Sequence, residues 1–142
     1  MRYVILHHTD WTEQPDHYDL MLQLEEGGDD DDLALKTFST LSNEFPTGAS
    51  HQPLATSHQQ PINLLRLISN HRRAYLTFQG SISRNRGQVK RVDEGVLTRF
   101  EQSSVGGELR AQFSGHRLNG QFELKPLGQN IFYFEQKGEQ SK

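Results

Sequence analysis

The chain contains no cysteine. That excludes a disulfide framework, a zinc site built on thiolates and thiol catalysis, and it fits a cytoplasmic protein. Hydrophobic residues are scarce, at 33% of 142, and mean hydropathy is -0.75. So lean a chain, of one domain's length, points to a small barrel or sandwich with long polar loops. No apolar run approaches the roughly 20 residues a membrane-crossing helix needs, and the first residues lack the apolar centre of a secretory signal. Helical periodicity is also missing: no amphipathic pattern exceeds about three turns. Nor is there an internal repeat.

Acids are missing from one long segment. Between Arg66 and Arg91 lie Arg72, Arg73, Arg84, Arg86 and Lys90, with no Asp or Glu. The net charge of -3 therefore hides an acidic remainder, concentrated at Glu25, Glu26 and residues 29–32. A basic segment in an acidic protein suggests a local anion site, for phosphate or a nucleic-acid backbone. Solvated strand faces would give the same composition. The acidic run itself reads as a solvated loop tip.

What the chain does have is short alternating segments, the mark of half-buried strands. They fall at 2–7, 18–25, 33–38, 64–69, 87–92, 95–100, 108–113, 121–125 and 131–135, with 75–78 as a further short apolar piece. Asp93-Glu94 reads as a tight turn joining two of them, and 114–120 as the loop of another hairpin. Residues 39–61 are rich in Ser, Thr, Gln and Pro and read as a long surface loop with room for one short helix, so His51 and His58 read as exposed. The fold expected is mainly β: one compact antiparallel β-barrel with few short helices over residues 1–136, and a disordered tail at 137–142.

The stretch richest in chemistry is 7–23, HHTDWTEQPDHYDLMLQ. Period two puts Tyr18, Leu20, Leu22 and Leu24 on a core face, and His17, Asp19, Met21 and Gln23 on the opposite one. His8 closes the preceding apolar run. If the two segments pair as a hairpin, His8 meets His17 at its loop end. Two imidazoles and a carboxylate form a common set of ligands for a divalent metal. The other reading is polar residues around an exposed loop.

Five pieces in order carry a family resemblance, the first four before the C-terminal hairpin. They are a strand ending in His, then His17-Tyr18-Asp19-Leu20-x-Leu22, then a Leu-x-Leu-Lys strand, then Asn70-His71-x-x-x-Tyr75-x-x-Phe78-Gln79-Gly80. The end brings Leu109-Arg110-x-x-Phe113-x-Gly115-x-x-Leu118-x-Gly120-x-Phe122-x-Leu124. Over nearly its whole length the chain resembles the 3'-phosphoesterase domain of bacterial DNA ligase D and its small stand-alone relatives. The resemblance implies a β-barrel with a manganese-dependent site that removes 3'-phosphates and 3'-terminal ribonucleotides at DNA ends. Its partners would be a nucleic-acid 3' end and other DNA-repair proteins, with no membrane. It also implies metal ligands drawn from His8, His17, Asp19 and His71, with His7 competing with His8. The catalytic residues would be His8, His17, His71 and Tyr75.

The chain departs from the family pattern at four positions. Met21 stands for the family's arginine, Gln23 for a glutamate, and Ser69 and Asn70 for two acids. Met21 removes a planar cation suited to phosphate, and Gln23 removes the acid on the same strand face, so neither charge is left alone. Arg72, Arg84 or Arg86 would then bind phosphate. A metal-dependent phosphoesterase is the first reading. A non-catalytic barrel that binds nucleic-acid ends or a protein partner is the second.

Overall fold

The computed structural model describes residues 1–48, 63–104 and 107–137. Its strands are β1 (Arg2–Thr9), β2 (His17–Gln23), β3 (Leu35–Thr40), β4 (Leu64–His71), β5 (Gly80–Ser81), β6 (Gln88–Gln102), β7 (Leu109–Gly115), β8 (Asn119–Gly128) and β9 (Ile131–Lys137). Every pairing is antiparallel. Neighbours run β1-β2-β3-β4-β9-β8-β7-β6, and β6 returns to β1, so eight strands close a barrel. Closure leaves those strands no free edge. The two-residue β5 is added to the start of β6. Helix among the described residues is a single 3-10 turn, Arg73–Leu76.

Two apolar clusters form. The larger takes Tyr3, Ile5, Leu20, Leu22, Phe38, Leu65, Leu97, Phe113, Phe122 and Phe134, among others. It draws on all eight strands of the ring and so fills the barrel. Edge-to-face pairs such as Tyr3–Phe113 and Phe38–Phe132 pack it. The smaller cluster is Val4, Leu6, Met21, Leu35, Leu76 and Val89, with Tyr75 and Ile82 against it. It lies on the other face of β1, β2 and β3, beneath the 3-10 turn and the chain leading to β6.

That second cluster corrects the expected faces of β2. Met21 and Gln23 are buried, whereas Leu24, expected in the core, is half-exposed. Met21 packs under Leu76, and Gln23 Oε1 accepts the Arg2 backbone N–H at 2.8 Å. Tyr18 is only partly buried, stacked on His7. β2 is thus covered on both faces at its Gln23 end.

The turn expected at Asp93-Glu94 is absent. β6 runs straight through it as a 15-residue strand. Asp93 is instead a buried acceptor: it takes the Tyr3 hydroxyl at 2.6 Å and the backbone N–H groups of Arg117 and Leu118 at 2.9 and 3.1 Å. The ladder to β1 shifts register between Ile5 and Leu6, opposite Asp93 and Arg91, leaving Val92 extra. Such a bulge bends the strand, which lets β6 serve β1 on one side and first β5, then β7, on the other. Gly95 permits the close approach: a Cβ there would sit 2.3 Å from the Ser114 carbonyl oxygen. Tyr75 and Leu76, read as the start of a short apolar piece at 75–78, instead end the 3-10 turn Arg73–Leu76. Lys137, expected in the tail, ends β9; residues 138–142, His51 and His58 lie outside the described residues.

Candidate functional site

β1 and β2 pair as a hairpin in the register Leu6↔Asp19 and His8↔His17. Paired residues of an antiparallel ladder share a face. His8, His17 and Asp19 therefore stand together at the loop end of the hairpin, and His7 goes to the opposite face. There His7 stacks on Tyr18 with centroids 4.1 Å apart, and its Nε2 meets Asn43 at 2.7 Å.

The three side chains each offer one ligand atom, and these atoms lie within 4.8 Å of one another. Asp19 is 3% exposed, and both histidines are largely buried. The backbone fixes the proton on each ring. His8 Nε2 donates to the Arg86 carbonyl at 2.6 Å, and His17 Nδ1 donates to the Pro15 carbonyl at 2.9 Å. A carbonyl only accepts, so in the neutral rings the lone pairs fall on His8 Nδ1 and His17 Nε2. Both face Asp19: His8 Nδ1 lies 3.9 Å from Oδ2, and His17 Nε2 lies 3.4 Å from Oδ1. Ser39, opposite Asp19 on β3, donates its hydroxyl to Oδ1 and orients the carboxylate. Two lone pairs aimed at a buried carboxylate call for a cation or a proton between them. Burial alone would lower the His17 pKa, but the hydrogen bond and charge of Asp19, helped by the Pro15 carbonyl, hold it above its ordinary value.

The triad sits in a cleft of about 1560 Å³. Trp11 closes one side and stacks on His8 with centroids 5.2 Å apart. His71 and Tyr75 line the cleft as well, their rings edge to face at 5.6 Å. His71 Nδ1 donates to the Ser69 carbonyl at 3.0 Å, which leaves Nε2 for other work. His71 is not one of the three whose ligand atoms converge.

The chain matches no family model and no curated protein.

Four of the basic residues of the acid-free segment line the cleft: Arg66, Arg72, Arg84 and Arg86. Arg73, Lys90 and Arg91 do not; Arg73 bonds the Glu25 carbonyl at 2.9 Å and Arg91 pairs with Glu94 at 3.4 Å. Of the three arginines expected to bind phosphate, Arg72 pairs with Asp31 at 3.3 Å and lies over Tyr75 at 5.8 Å. The Arg86 guanidinium folds back onto Ser83, at 3.0 and 3.2 Å. Arg84 sits in a turn at φ 63°, beside Asn85 at φ 57°.

Sequence reasoning missed Ser39, Trp11 and the two carbonyls that fix the imidazole tautomers. It also left Arg66 without a role. Ser39 and Arg66 would have followed from strand register, since Asp19↔Ser39 and Ser39↔Arg66 form one cross-strand row. The carbonyls leave no trace in residue identity.

Proposed function

We propose that the chain is a divalent-metal-dependent phosphoesterase acting on the 3' ends of DNA. It removes a 3'-phosphate or a 3'-terminal ribonucleotide during end repair. The observation that carries this reading is the locked pair of imidazole lone pairs facing a buried carboxylate. Nitrogen and oxygen donors without sulfur suit a divalent first-row ion, and histidines whose other N–H is held by a carbonyl are the usual form of a metal ligand. His8 Nδ1, His17 Nε2 and Asp19 would hold it, and manganese is the ion implied by the resemblance to the DNA ligase D domain. When bound, such an ion polarises a phosphoryl oxygen and makes a bound water more acidic.

The chain's own groups do the rest. The arginines of the cleft attract and orient the phosphate. Ser39 keeps Asp19 in place. His71, with Nδ1 committed to Ser69, presents Nε2 as the atom that carries a proton to the leaving oxygen. Tyr75 packs against the His71 ring and holds its angle. The setting we propose is cytoplasmic, with other DNA-repair proteins as partners; among the described residues no helix is long and apolar enough to cross a membrane.

The burial of Met21 and Gln23 favours a second reading. Position 21 is packed into the core and carries no charge to the cleft, which fits a barrel that binds nucleic-acid ends without cutting them. One assay separates the two. Oligonucleotides ending in a 3'-phosphate or a single ribonucleotide are incubated with the protein and Mn2+, and released phosphate or nucleoside is measured. We expect release from wild type and none from His17→Ala. A wild-type protein that binds the oligonucleotide but releases nothing with manganese, zinc, cobalt or magnesium is a binding module.

A further inference from the structure

We propose that Arg66 is the phosphate-holding residue of the cleft, taking the place of the cation that Met21 does not supply. The inference rests on the reading of His8, His17 and Asp19 as a metal site, and its test separates the two.

The position comes from the ladder. Asp19 pairs with Ser39, and Ser39 pairs with Arg66, so the three share one face of β2, β3 and β4. Neighbouring strands lie about 4.8 Å apart, which puts the Arg66 Cα about 10 Å from that of Asp19. An extended arginine reaches across most of that gap. A phosphate bound at the triad would therefore lie within its range, with the short Ser39 side chain between them leaving the path open.

The partners of the other cations point the same way. Arg72 is engaged by Asp31 and Tyr75, and Arg86 by Ser83. Arg84 sits in a turn between β5 and β6, on the covering segment and not on the barrel. The Arg66 side chain is exposed and makes no hydrogen bond or ion pair with any described residue. It is carried by a barrel strand in the same row as Asp19, so its origin is rigid relative to the metal ligands. A guanidinium with no partner among the described residues, carried by a barrel strand and lining the same cleft as His8, His17 and Asp19, can grip two non-bridging oxygens at once. Position 21 cannot: its side chain is committed to Val4, Leu6 and Leu76.

The test uses the full chain with inorganic phosphate as probe, with and without Mn2+, and measures Mn2+ affinity separately. The variants are Arg66→Gln, Arg66→Lys and, as a charge-matched control outside the cleft, Arg99→Gln. Arg66→Gln should weaken phosphate binding about ten-fold or more while moving Mn2+ affinity less than about two-fold. Arg66→Lys should recover part of the loss, because a lysine supplies the charge without the fork. Arg99→Gln should leave phosphate binding at the wild-type value. Equal phosphate affinity in wild type and Arg66→Gln overturns the proposal, as does a wild type that binds phosphate in neither condition. A chain that fails to bind Mn2+ but loses phosphate with Arg66→Gln refutes the metal reading and upholds the role of Arg66.

Discussion

Asp19 and Asp93 are both 3% exposed, and both lie on strands of the same barrel. Their surroundings differ in kind. Asp93 is met by one hydroxyl and two backbone N–H groups at 2.6–3.1 Å, all neutral donors aimed at its oxygens. Asp19 has one such donor, Ser39, and two imidazole nitrogens at 3.4 and 3.9 Å whose protons are committed elsewhere. A saturated buried carboxylate is a fastener, and the three donors tie β1 and the β7–β8 turn to β6. An undersupplied one, with lone pairs turned towards it, has the form of a receptor for a cation, the role we propose for Asp19. Burial does not separate the two aspartates; the count and polarity of the donors do.

The largest effect should come from breaking the fastener. Asp93→Ala strands the buried Tyr3 hydroxyl and two N–H groups, and should cost about 3–5 kcal/mol of unfolding free energy in denaturant titration. Burial first, and then Asp93, hold the Tyr3 phenol far above its ordinary value, so it remains a donor throughout the physiological range. Mn2+ affinity per folded molecule should be unchanged. A loss below about 1 kcal/mol would show that Asp93 does not act as a fastener.

Next is the apolar floor beside the receptor. Met21→Ala opens a cavity under Leu76 and should cost about 2–4 kcal/mol, close to the loss at a barrel-interior position such as Leu20→Ala. A near-neutral Met21→Ala would mean that the outer cluster is loosely packed and that the site's face is not a second core.

The receptor itself should respond oppositely to the fastener. Asp19→Asn removes a charged ligand and should weaken Mn2+ binding by on the order of 100-fold or more, since even outer-shell changes cost 10–100-fold. The metal-free fold should move by less than about 1 kcal/mol, because Asn still accepts from Ser39 and no strong donor set is stranded. If Asp19→Asn unfolds the protein as Asp93→Ala does, the two aspartates are of one kind.

How much of this was legible depends on which interactions residue type records. The alternation in β1 and β2 is a property of residue order, so the shared face of His8, His17 and Asp19 could be read directly. The barrel followed from the count and spacing of such segments. Asp93-Glu94 misled because an acidic pair before a glycine is a turn signal, and only Tyr3, Arg117 and Leu118 make it a strand interior. Those partners lie 24 residues or more away in sequence. The burial of Met21 depended on the 3-10 turn folding over β2, which no local pattern announces. The tautomers of His8 and His17 depend on the carbonyls of Arg86 and Pro15, and backbone acceptors are the same in every residue.

The smallest effect is a pH dependence, and it tests the receptor with no change of ligand set. In the metal-free protein the Asp19 carboxylate holds the His17 pKa above its ordinary value of about 6.5. A group raised on folding adds stability that is complete below its unfolded pKa and disappears as pH rises through its folded one. Unfolding free energy in chelator should therefore fall as pH climbs from about 6.5 through the raised value. His17→Gln should lose that component of the slope. A bound cation requires the same nitrogen without its proton, so Mn2+ affinity should climb across the same window in which the proton's contribution fades. The two curves, measured on one protein with and without metal, should cross in sign. Asp93 offers no comparable site, and a variant there should leave both slopes as they are. Parallel slopes with and without Mn2+ would mean that proton and metal do not compete for His17 Nε2, and that the lone pairs at Asp19 are not a cation's seat.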